Sequence, residues 1–376
     1  MAGRWDATEP GRRFGSLVAG WRGLGVFWCV IVLLLAGGGV TLQLLGPPAP
    51  PAKFAVQTPP PSPVAAQSQV PAPQAQSPQP AKPLPPAAAV KAPAGPRPGR
   101  DTPGPIADPD PALLEPVAGT SGDLLPRISS DGRMPMQVYA AGFDSSTRRP
   151  RVGLLLAGVG LNQADSENAI RSLPAGITLA ISPYAQNPGR LLAAARLAEH
   201  EYLLSIPMEP QGYPLNDPGP QALMTNLPPE ENTTKLQWAL SRIAGYVGAT
   251  GALGSLRGER FASLPDQINP MLAELAHRGL LYVDPRRGAP PLPAVWSRSV
   301  DLVVDEPPAA AEIDNKLAQL SRLAREKGSA LGLAGVAGPV TIERIANWAN
   351  GLTADGLALA PVSALVQPPA AEKATQ

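Results

Sequence analysis

Histidine and cysteine are nearly missing from this chain, and so is any excess of one charge. Its 376 residues contain two histidines and one cysteine, and the formal net charge is +1. A single cysteine excludes a framework of intramolecular disulfides. Hydrolytic zinc sites usually take two or three imidazoles, so the histidine count argues against such a site. Without a basic excess, the composition gives no reason to expect nucleic acid as a partner.

Large apolar side chains are scarce between residues 46 and 111, where proline, alanine and glutamine dominate. Such a segment cannot bury enough surface to offset the entropy lost on ordering, and its prolines favour extended polyproline II. We therefore predict a disordered tether over 46–111. The alternative is a proline-rich ligand for another domain, although no docking motif with flanking charges repeats. The C-terminal residues 367–376 are predicted to be a short disordered tail.

The N-terminal region contains a long apolar run, residues 24–45, which has no charged side chain. At about 1.5 Å per residue this run can cross a hydrocarbon core of roughly 30 Å. Several arginines precede it, and the first basic residue after it is Lys53. The positive-inside rule then predicts that residues 1–23 are cytoplasmic and that the C-terminal domain is periplasmic. The prediction is a single-pass inner-membrane protein. The alternatives are a cleaved signal peptide, for which the run is too long, and a buried core helix.

Apolar residues return at 112–150, which we expect to pack on the domain as an ordered lead-in. From residue 151 to 366, short apolar runs alternate with amphipathic stretches, as in a parallel sheet covered on both faces. No Gly-x-Gly-x-x-Gly opens a helix, so the pattern predicts a distorted (β/α)7-type barrel of parallel strands. The predicted strands are 152–157, 177–181, 202–206, 249–253, 280–283, 302–304, 330–333 and 357–361. The predicted helices are 165–172, 188–200, 230–246, 265–277, 309–327 and 341–350.

Candidate site residues are those that follow the predicted strands, because barrels of βα units carry their sites at the carboxyl ends of the strands. The charged residues there are Glu209, Arg257, Glu259, Arg260, Asp284, Arg286, Asp305 and Glu306. The aromatic residues Tyr184, Tyr213 and Trp296 could stack on a sugar ring, and the plainer interpretation of each is packing or ordinary surface.

Eight segments around the strand ends have the order and spacing of a known family. They read LLLAGVGLN, TLAISPY, LLSIPMEP, NDPGPQALMTN, GATGALGS, LLYVDPRRG, DLVVDEP and LALAPVSAL. This series resembles the divergent polysaccharide deacetylase family over about residues 151–366, and PMEP followed by DPGPxAL is its most specific part. The resemblance implies a barrel related to metal-dependent carbohydrate N-deacetylases, which are normally exported to the cell envelope. There a divalent metal activates water and a carboxylate takes the water's proton.

The positions at which that family binds metal are replaced in this chain. The resemblance places the acidic pair, the strand histidine, the Asn-Asn-His run and the late histidine on Ala157 and Gly158, on Ser205, on residues 250–252 ending at Ala252, and on about Gly335. None of these groups can bind a metal or act as a base. No cofactor is therefore expected, although the family would use a divalent metal.

The two histidines of the chain, His200 and His277, end predicted helices. The ordinary role at such a position is a solvated imidazole near the negative end of the helix dipole. A role as metal ligands would require them at the opposite, catalytic end of the barrel.

A residual pocket could be formed by Glu209, Asp284, Arg260 and Asp305, of which Glu209 and Asp284 match family positions. Two carboxylates can support metal-free acid–base hydrolysis if their environments separate their pKa values. The simpler interpretation is that Glu209 accepts backbone N–H bonds in its turn and that Asp284 pairs with Arg260 or Arg286.

Three functions remain open from the sequence. The first is a catalytically impaired, deacetylase-like domain that binds glycan, peptidoglycan or an envelope protein at the inner membrane. The second is an active deacetylase or glycan hydrolase with a relocated site that uses carboxylates such as Glu209 and Asp284. The third is a purely structural platform whose mouth is closed by side chains such as Met208, Leu253 and Val336.

Overall fold

The computed structural model describes residues 27–34, 98–117, 119–120, 122–290, 292 and 294–369. Residues 27–34 form a helix, α1, within the predicted membrane segment 24–45. In these described ranges, no helix combines the length and the apolar character that crossing a bilayer requires. The rest of that predicted segment, most of the predicted tether and most of the predicted tail lie outside the described residues.

The domain is built on one sheet whose strands are all parallel to their neighbours. Its spatial order is β8-β7-β6-β5-β4-β3-β10-β9, with β11 beside β3, and β1 and β2 form a separate antiparallel pair. The strands are β1 Leu114–Pro116, β2 Leu124–Pro126, β3 Arg151–Val159, β4 Thr178–Ile181, β5 Tyr202–Ser205, β6 Gly248–Thr250, β7 Leu281–Asp284, β8 Ser297–Ser299, β9 Leu302–Val303, β10 Ser329–Ala334 and β11 Ala358–Leu359.

Helices cover the convex face of this sheet. They are α3 Gln163–Ser172, α4 Pro188–Leu197, α5 Pro229–Ser241, α6 Glu259–Ala262, α7 Pro265–His277, α8 Ala310–Lys327 and α9 Pro339–Gly351, whereas the short helix α2, Pro135–Val138, packs on the other face. The longest, α8, buries Ile313, Leu317, Leu320 and Ala324, which recur at helical spacing and face the sheet. It ends at Gly328, which has the left-handed backbone conformation that favours glycine at a helix end.

The central strand β3 shows why its sequence is apolar throughout. Leu154 and Leu156 belong to the core between the sheet and the helices. Leu155 and Ala157 point the other way and belong to a second core on the concave face. Both faces of the strand are therefore buried, as in parallel sheets generally. The prediction of a parallel α/β domain is confirmed.

The barrel, however, is open along one side. Its edge strands β8 and β9 are joined by only Val300 and Asp301. Consecutive parallel strands need a long crossover to pair with each other, so these two lie at opposite edges of the sheet. The linking residues still span the gap, because Val300 donates its N–H to the Asp284 carbonyl (3.0 Å) and Asp301 to the Leu331 carbonyl (2.9 Å). The predicted barrel is thus confirmed in its parallel α/β character and is a half-barrel in form.

The concave face of the sheet is filled by chain segments from before β3 and after β11. Ile106, Leu113 and Tyr139 are buried in the same apolar cluster as Val362 and Leu365. Residues 98–111, which composition assigns to the tether, therefore pack against the domain. These segments lie at the amino ends of the strands, and we call this end the floor of the half-barrel.

A buried carboxylate, Glu201, holds the floor together. Its oxygens accept N–H bonds from Ala141 (3.1 Å) and Ser363 (3.0 Å) and hydroxyl bonds from Thr178 and Ser363. Four donors facing one side chain match an ionised carboxylate, which only accepts. Burial raises the pKa of Glu201, and these donors oppose that rise. The carboxylate thus connects the lead-in, strands β4 and β5, and the C-terminal segment.

Candidate functional site

Three chain segments touch through their backbones at the carboxyl ends of β3, β6 and β10, which we call the mouth of the half-barrel: the last residues of β3 and the loops after β6 and β10. Gly158 has a φ of +77°. A Cβ added to Gly158 would lie 3.1 Å from the Gly335 carbonyl oxygen and 3.6 Å from the Gly254 Cα. A Cβ added to Gly335 would lie 3.0 Å from the Gly254 carbonyl oxygen. We call this contact of Gly158, Gly254 and Gly335 the glycine junction. Backbone atoms fill the space where the three segments meet.

The segment after β10, which brings Gly335 to the junction, is fixed by Asp305, two residues beyond the end of β9. Its carboxylate oxygens accept the N–H groups of Gly335 (3.0 Å) and Val336 (2.8 Å). The side chain is 2% exposed, and this burial raises the pKa of Asp305 although the two N–H bonds oppose the rise. Asp305 therefore positions backbone at the mouth.

The positions at which the sequence resemblance places the metal-binding groups of the family are close to this junction. Ala157, Ser205 and Ala252 are fully buried. Ala157 directly precedes Gly158, and Ala252 lies two residues before Gly254. Ser205 is in register with Thr250 on the next strand. In the described part of the chain, the Ser205 hydroxyl has no hydrogen-bond partner.

Glu209 is 3% exposed and has donors on both carboxylate oxygens. One oxygen accepts the N–H and the hydroxyl of Thr225, each at 2.7 Å. The other lies 3.1 Å from an Arg260 guanidinium nitrogen, and that arginine side chain is 56% exposed. Glu209 thus joins its own turn to the DPGPxAL segment and to α6.

Asp284 ends β7 and is 1% exposed. Its carboxylate pairs with the Arg286 guanidinium through two oxygens, the shortest distance being 2.6 Å, and it also accepts the Arg286 backbone N–H at 3.0 Å. This pairing raises the pKa of Arg286. Such a two-pronged pair is strong and directional, so both groups are held in place.

The four residues of the predicted pocket are therefore divided among three sets of bonds. Glu209 pairs with Arg260, Asp284 pairs with Arg286, and Asp305 binds backbone. Next to them, Arg257 pairs with Glu306 and Glu259. Across the described residues, no three His, Cys, Asp or Glu side chains are grouped so that they could hold a metal ion.

The prediction for His200 was wrong, because this imidazole is fully buried. Its Nδ1 lies 2.8 Å from the Ile177 carbonyl oxygen and its Nε2 lies 3.4 Å from that of Ile170. Helix α4 ends at Leu197, so His200 belongs to the connection to β5, which passes beneath α3. Burial lowers the pKa of His200. His277 is exposed at the end of α7, as predicted.

The three candidate aromatic residues lie in different places. Tyr184 is half-buried in the loop after β4 and packs on Trp238 with ring centroids 5.5 Å apart. Tyr213 is 39% exposed in the loop that follows Glu209. Trp296 precedes β8 and lines a groove with Arg151 at the floor. Only Tyr184 stands beside the mouth and beside another aromatic ring.

A model of the divergent polysaccharide deacetylase family matches residues 154–366. The chain belongs to this family. It is also similar to an uncharacterized protein from Agrobacterium tumefaciens C58 of known crystal structure. The two are 34% identical, the match covers 64% of this chain and 99% of that chain, and the TM-score is 0.60. No curated protein matches the chain.

The residues at the mouth do not fit the divalent metal that the deacetylase resemblance implies. Such metals need carboxylate, imidazole or comparable donors. The corresponding positions carry hydrogen, methyl or hydroxymethyl side chains, namely Ala157, Gly158, Ser205, Ala252 and Gly335. The glycine junction also leaves no room for a longer side chain at Gly158 or Gly335 without a backbone shift.

Two features of the site were missed from sequence. Thr225 was not recognised as the partner of Glu209, although it stands in the specific DPGPQALMTN segment. Trp238 was not recognised as the support of Tyr184, because on helix α5 it reads as one more apolar residue. Both contacts join segments that are distant along the chain, and a single sequence gives no signal for them.

Replacing Gly158 by alanine should cost more stability than replacing Gly356. Both glycines have a positive φ, +77° and +74°, so both alanines incur the backbone penalty of about 1–2 kcal/mol. Only the Gly158 methyl meets a carbonyl oxygen at 3.1 Å, since nothing lies within 4 Å at Gly356. We expect an additional loss of roughly 1 kcal/mol at Gly158, measured by denaturant unfolding. Equal losses would contradict the tight contact at the junction.

The domain should lose stability as the pH falls through the usual histidine range. His200 is neutral when buried and gains a proton on unfolding, so its folded pKa lies below its unfolded one. Its contribution is complete above the unfolded pKa of about 6.5 and declines below it, by at most about 1.4 kcal/mol per pH unit. Unfolding free energies between pH 7.5 and 5.5 should show a smaller slope for His200→Gln than for the wild type. His277→Gln is the matched control and should retain the wild-type slope; a His200→Gln slope equal to it would refute the assignment.

Proposed function

We propose that this protein acts in the cell envelope as a catalytically impaired, deacetylase-like module that binds glycan, peptidoglycan or an envelope protein. The observation that carries the proposal is the glycine junction. Segments that would present metal ligands in a complete site meet here through Gly158, Gly254 and Gly335.

The histidines support the same proposal. A metal-dependent deacetylase needs imidazoles at the mouth, and the chain has only two histidines. His200 is fixed between two backbone carbonyls beneath α3. His277 lies at the C-terminal end of α7, directly before the connection to the amino end of β7, and therefore at the floor side of the sheet.

The carboxylates at the mouth give further support. A general base needs an oxygen that is free to take a proton from water. Glu209 has its oxygens on Thr225 and Arg260, and Asp284 has both of its oxygens on Arg286. The oxygens of both carboxylates therefore already have hydrogen-bond or ion-pair partners within the protein.

A second candidate function is a hydrolase that uses Glu209 and Asp284 without a metal. It is favoured by one observation, that both carboxylates are nearly fully buried at the carboxyl ends of strands. Buried ionisable groups in such places are typical of active sites as well as of structural ion pairs.

An acetate-release assay with metal analysis separates these functions. The purified full-length chain is incubated with chitohexaose, a neutral N-acetylated amino-sugar oligomer, with and without added Zn²⁺, Mg²⁺ or Mn²⁺. We expect metal far below one ion per chain and no acetate above the blank. Acetate release that a chelator abolishes would contradict the proposal outright.

Release that resists the chelator would favour the second function if Glu209→Gln or Asp284→Asn abolished it. Glu326→Gln is the matched control, because Glu326 is exposed on the outer side of α8. If this control variant lost activity together with the other two, the assay would report general damage and not a carboxylate site.

We further propose that residues 24–45 anchor the chain in the inner membrane with the domain in the periplasm. The support is the uncharged run and the arginines before it. An alkaline phosphatase fused after residue 376 should be active and should sediment with membranes after a high-salt wash. Replacing Leu33 and Leu34 by arginine costs roughly 3 kcal/mol per residue at the bilayer centre, so the fusion should lose activity. The double replacement by isoleucine should have no effect. An arginine variant with the same phosphatase activity as the isoleucine variant would contradict this proposal.

A further inference from the structure

A groove of about 830 Å³ runs between α3 and α4 and opens beside the mouth. The base of the groove is apolar and is formed by Ile170, Leu191 and Ala194. We call it the α3–α4 groove. Its volume lies within the range of small-molecule sites, about 300–1,000 Å³.

The groove adjoins the glycine junction. Leu161 lines its upper end and is 54% exposed. The Leu161 Cδ1 atom lies against Gly254, 3.4 Å from the place a Cβ would take there. The upper end of the groove is therefore close to the glycine junction.

One wall of the groove is a fixed aromatic ring. Tyr184 packs on Trp238 (5.5 Å between centroids), and the Arg242 guanidinium lies over the same indole, 5.5 Å from its centroid. The Tyr184 oxygen accepts the N–H of Gln221 at 3.3 Å. A ring held in this way loses little entropy when a ligand stacks on it.

The rim of the groove carries donors that the protein does not use. Within the described residues, the side chains of Gln186 and Asn187 make no hydrogen bond, and Arg190 has no acidic side chain within ion-pair distance. All three residues are exposed and lie on the loop after β4 and the first turn of α4. Amide and guanidinium groups in this arrangement suit a ligand rich in oxygen acceptors.

The charge of the groove is positive. Its only acidic lining residue is Glu167, which accepts a bond from Gln163 (3.1 Å) and lies 3.8 Å from Arg171 on the same helix. Arg190 on the facing helix has no acidic partner among the described residues. An unpaired guanidinium favours a carboxylate, which it can bind through two parallel bonds.

From these features we propose that the α3–α4 groove binds an acidic oligosaccharide. A sugar ring, apolar on its faces and polar on its edges, lies against Tyr184 and the apolar base of the groove, and its carboxylate pairs with Arg190. This inference rests on the binding function proposed above and gives it a site and a ligand class. It does not need activity, so acetate release would refute that function without deciding the groove.

The test is calorimetric titration of the purified full-length chain with three probes. A hyaluronan hexasaccharide is acidic, chitohexaose is neutral, and a short polyglutamate peptide is acidic without sugar. We expect the hyaluronan hexasaccharide to bind at least tenfold more tightly than either of the others. If chitohexaose bound as tightly as the hyaluronan hexasaccharide, the carboxylate would not contribute to binding. If polyglutamate bound as tightly, the sugar would not contribute.

Two matched pairs of variants locate the site. Ala193 and Ala194 are both exposed on α4, but only Ala194 lines the groove. Ala194→Trp should abolish binding of the hyaluronan hexasaccharide, whereas Ala193→Trp should retain it. Arg190→Gln should weaken binding at least tenfold, and Arg322→Gln, at an exposed arginine of α8, should not. Binding that survives Ala194→Trp and Arg190→Gln would place the ligand elsewhere and overturn the proposal.

Discussion

The carboxylate of Glu201 is the interaction on which the concave side of this domain depends. A sheet that does not close into a full barrel leaves one face to be covered, and of the α-helices in the described residues only the short α2 packs on that face. The cover comes from the lead-in and from the C-terminal segment, which are far apart in sequence. Glu201 accepts bonds from both, through Ala141 and Ser363, and so the two segments are held as one layer. An amide or an alkyl group in its place could not accept from all four donors.

Asp305 does at the mouth what Glu201 does at the floor. Each is a buried carboxylate that accepts backbone N–H groups from a distant segment, and burial raises the pKa of both. With Asp305 holding the segment after β10, the glycine junction is tight and the centre of the mouth is occupied by backbone. An accessible groove beside the mouth lies further out, between α3 and α4. The domain thus has the parallel α/β fold, and backbone atoms of Gly158, Gly254 and Gly335 meet at the centre of its mouth.

The sequence predicted the parallel α/β domain because its buried strands are apolar on both faces, as β3 illustrates. It predicted helix α7 to the residue, since Pro265 and Gly279 mark its limits. It did not predict β8, whose residues Ser297–Ser299 have no apolar pattern, nor the open edge beside it. His200 was misjudged because the predicted helix was extended to residue 200, whereas α4 ends at Leu197. Partners such as Thr225 and Trp238 depend on tertiary contacts, which local pattern does not contain.

The position at which the chain joins the domain has a mechanical consequence. Pro98 and Gly99 lie next to Arg151 and Ser363, at the start of β3 and therefore at the floor. A force applied through the preceding chain would enter at this end and load the segments bound to Glu201 first. The mouth and the α3–α4 groove lie at the far ends of the strands, so tension would reach them only after the floor had yielded. A load through the preceding chain and a ligand in the α3–α4 groove would therefore act at opposite ends of the strands.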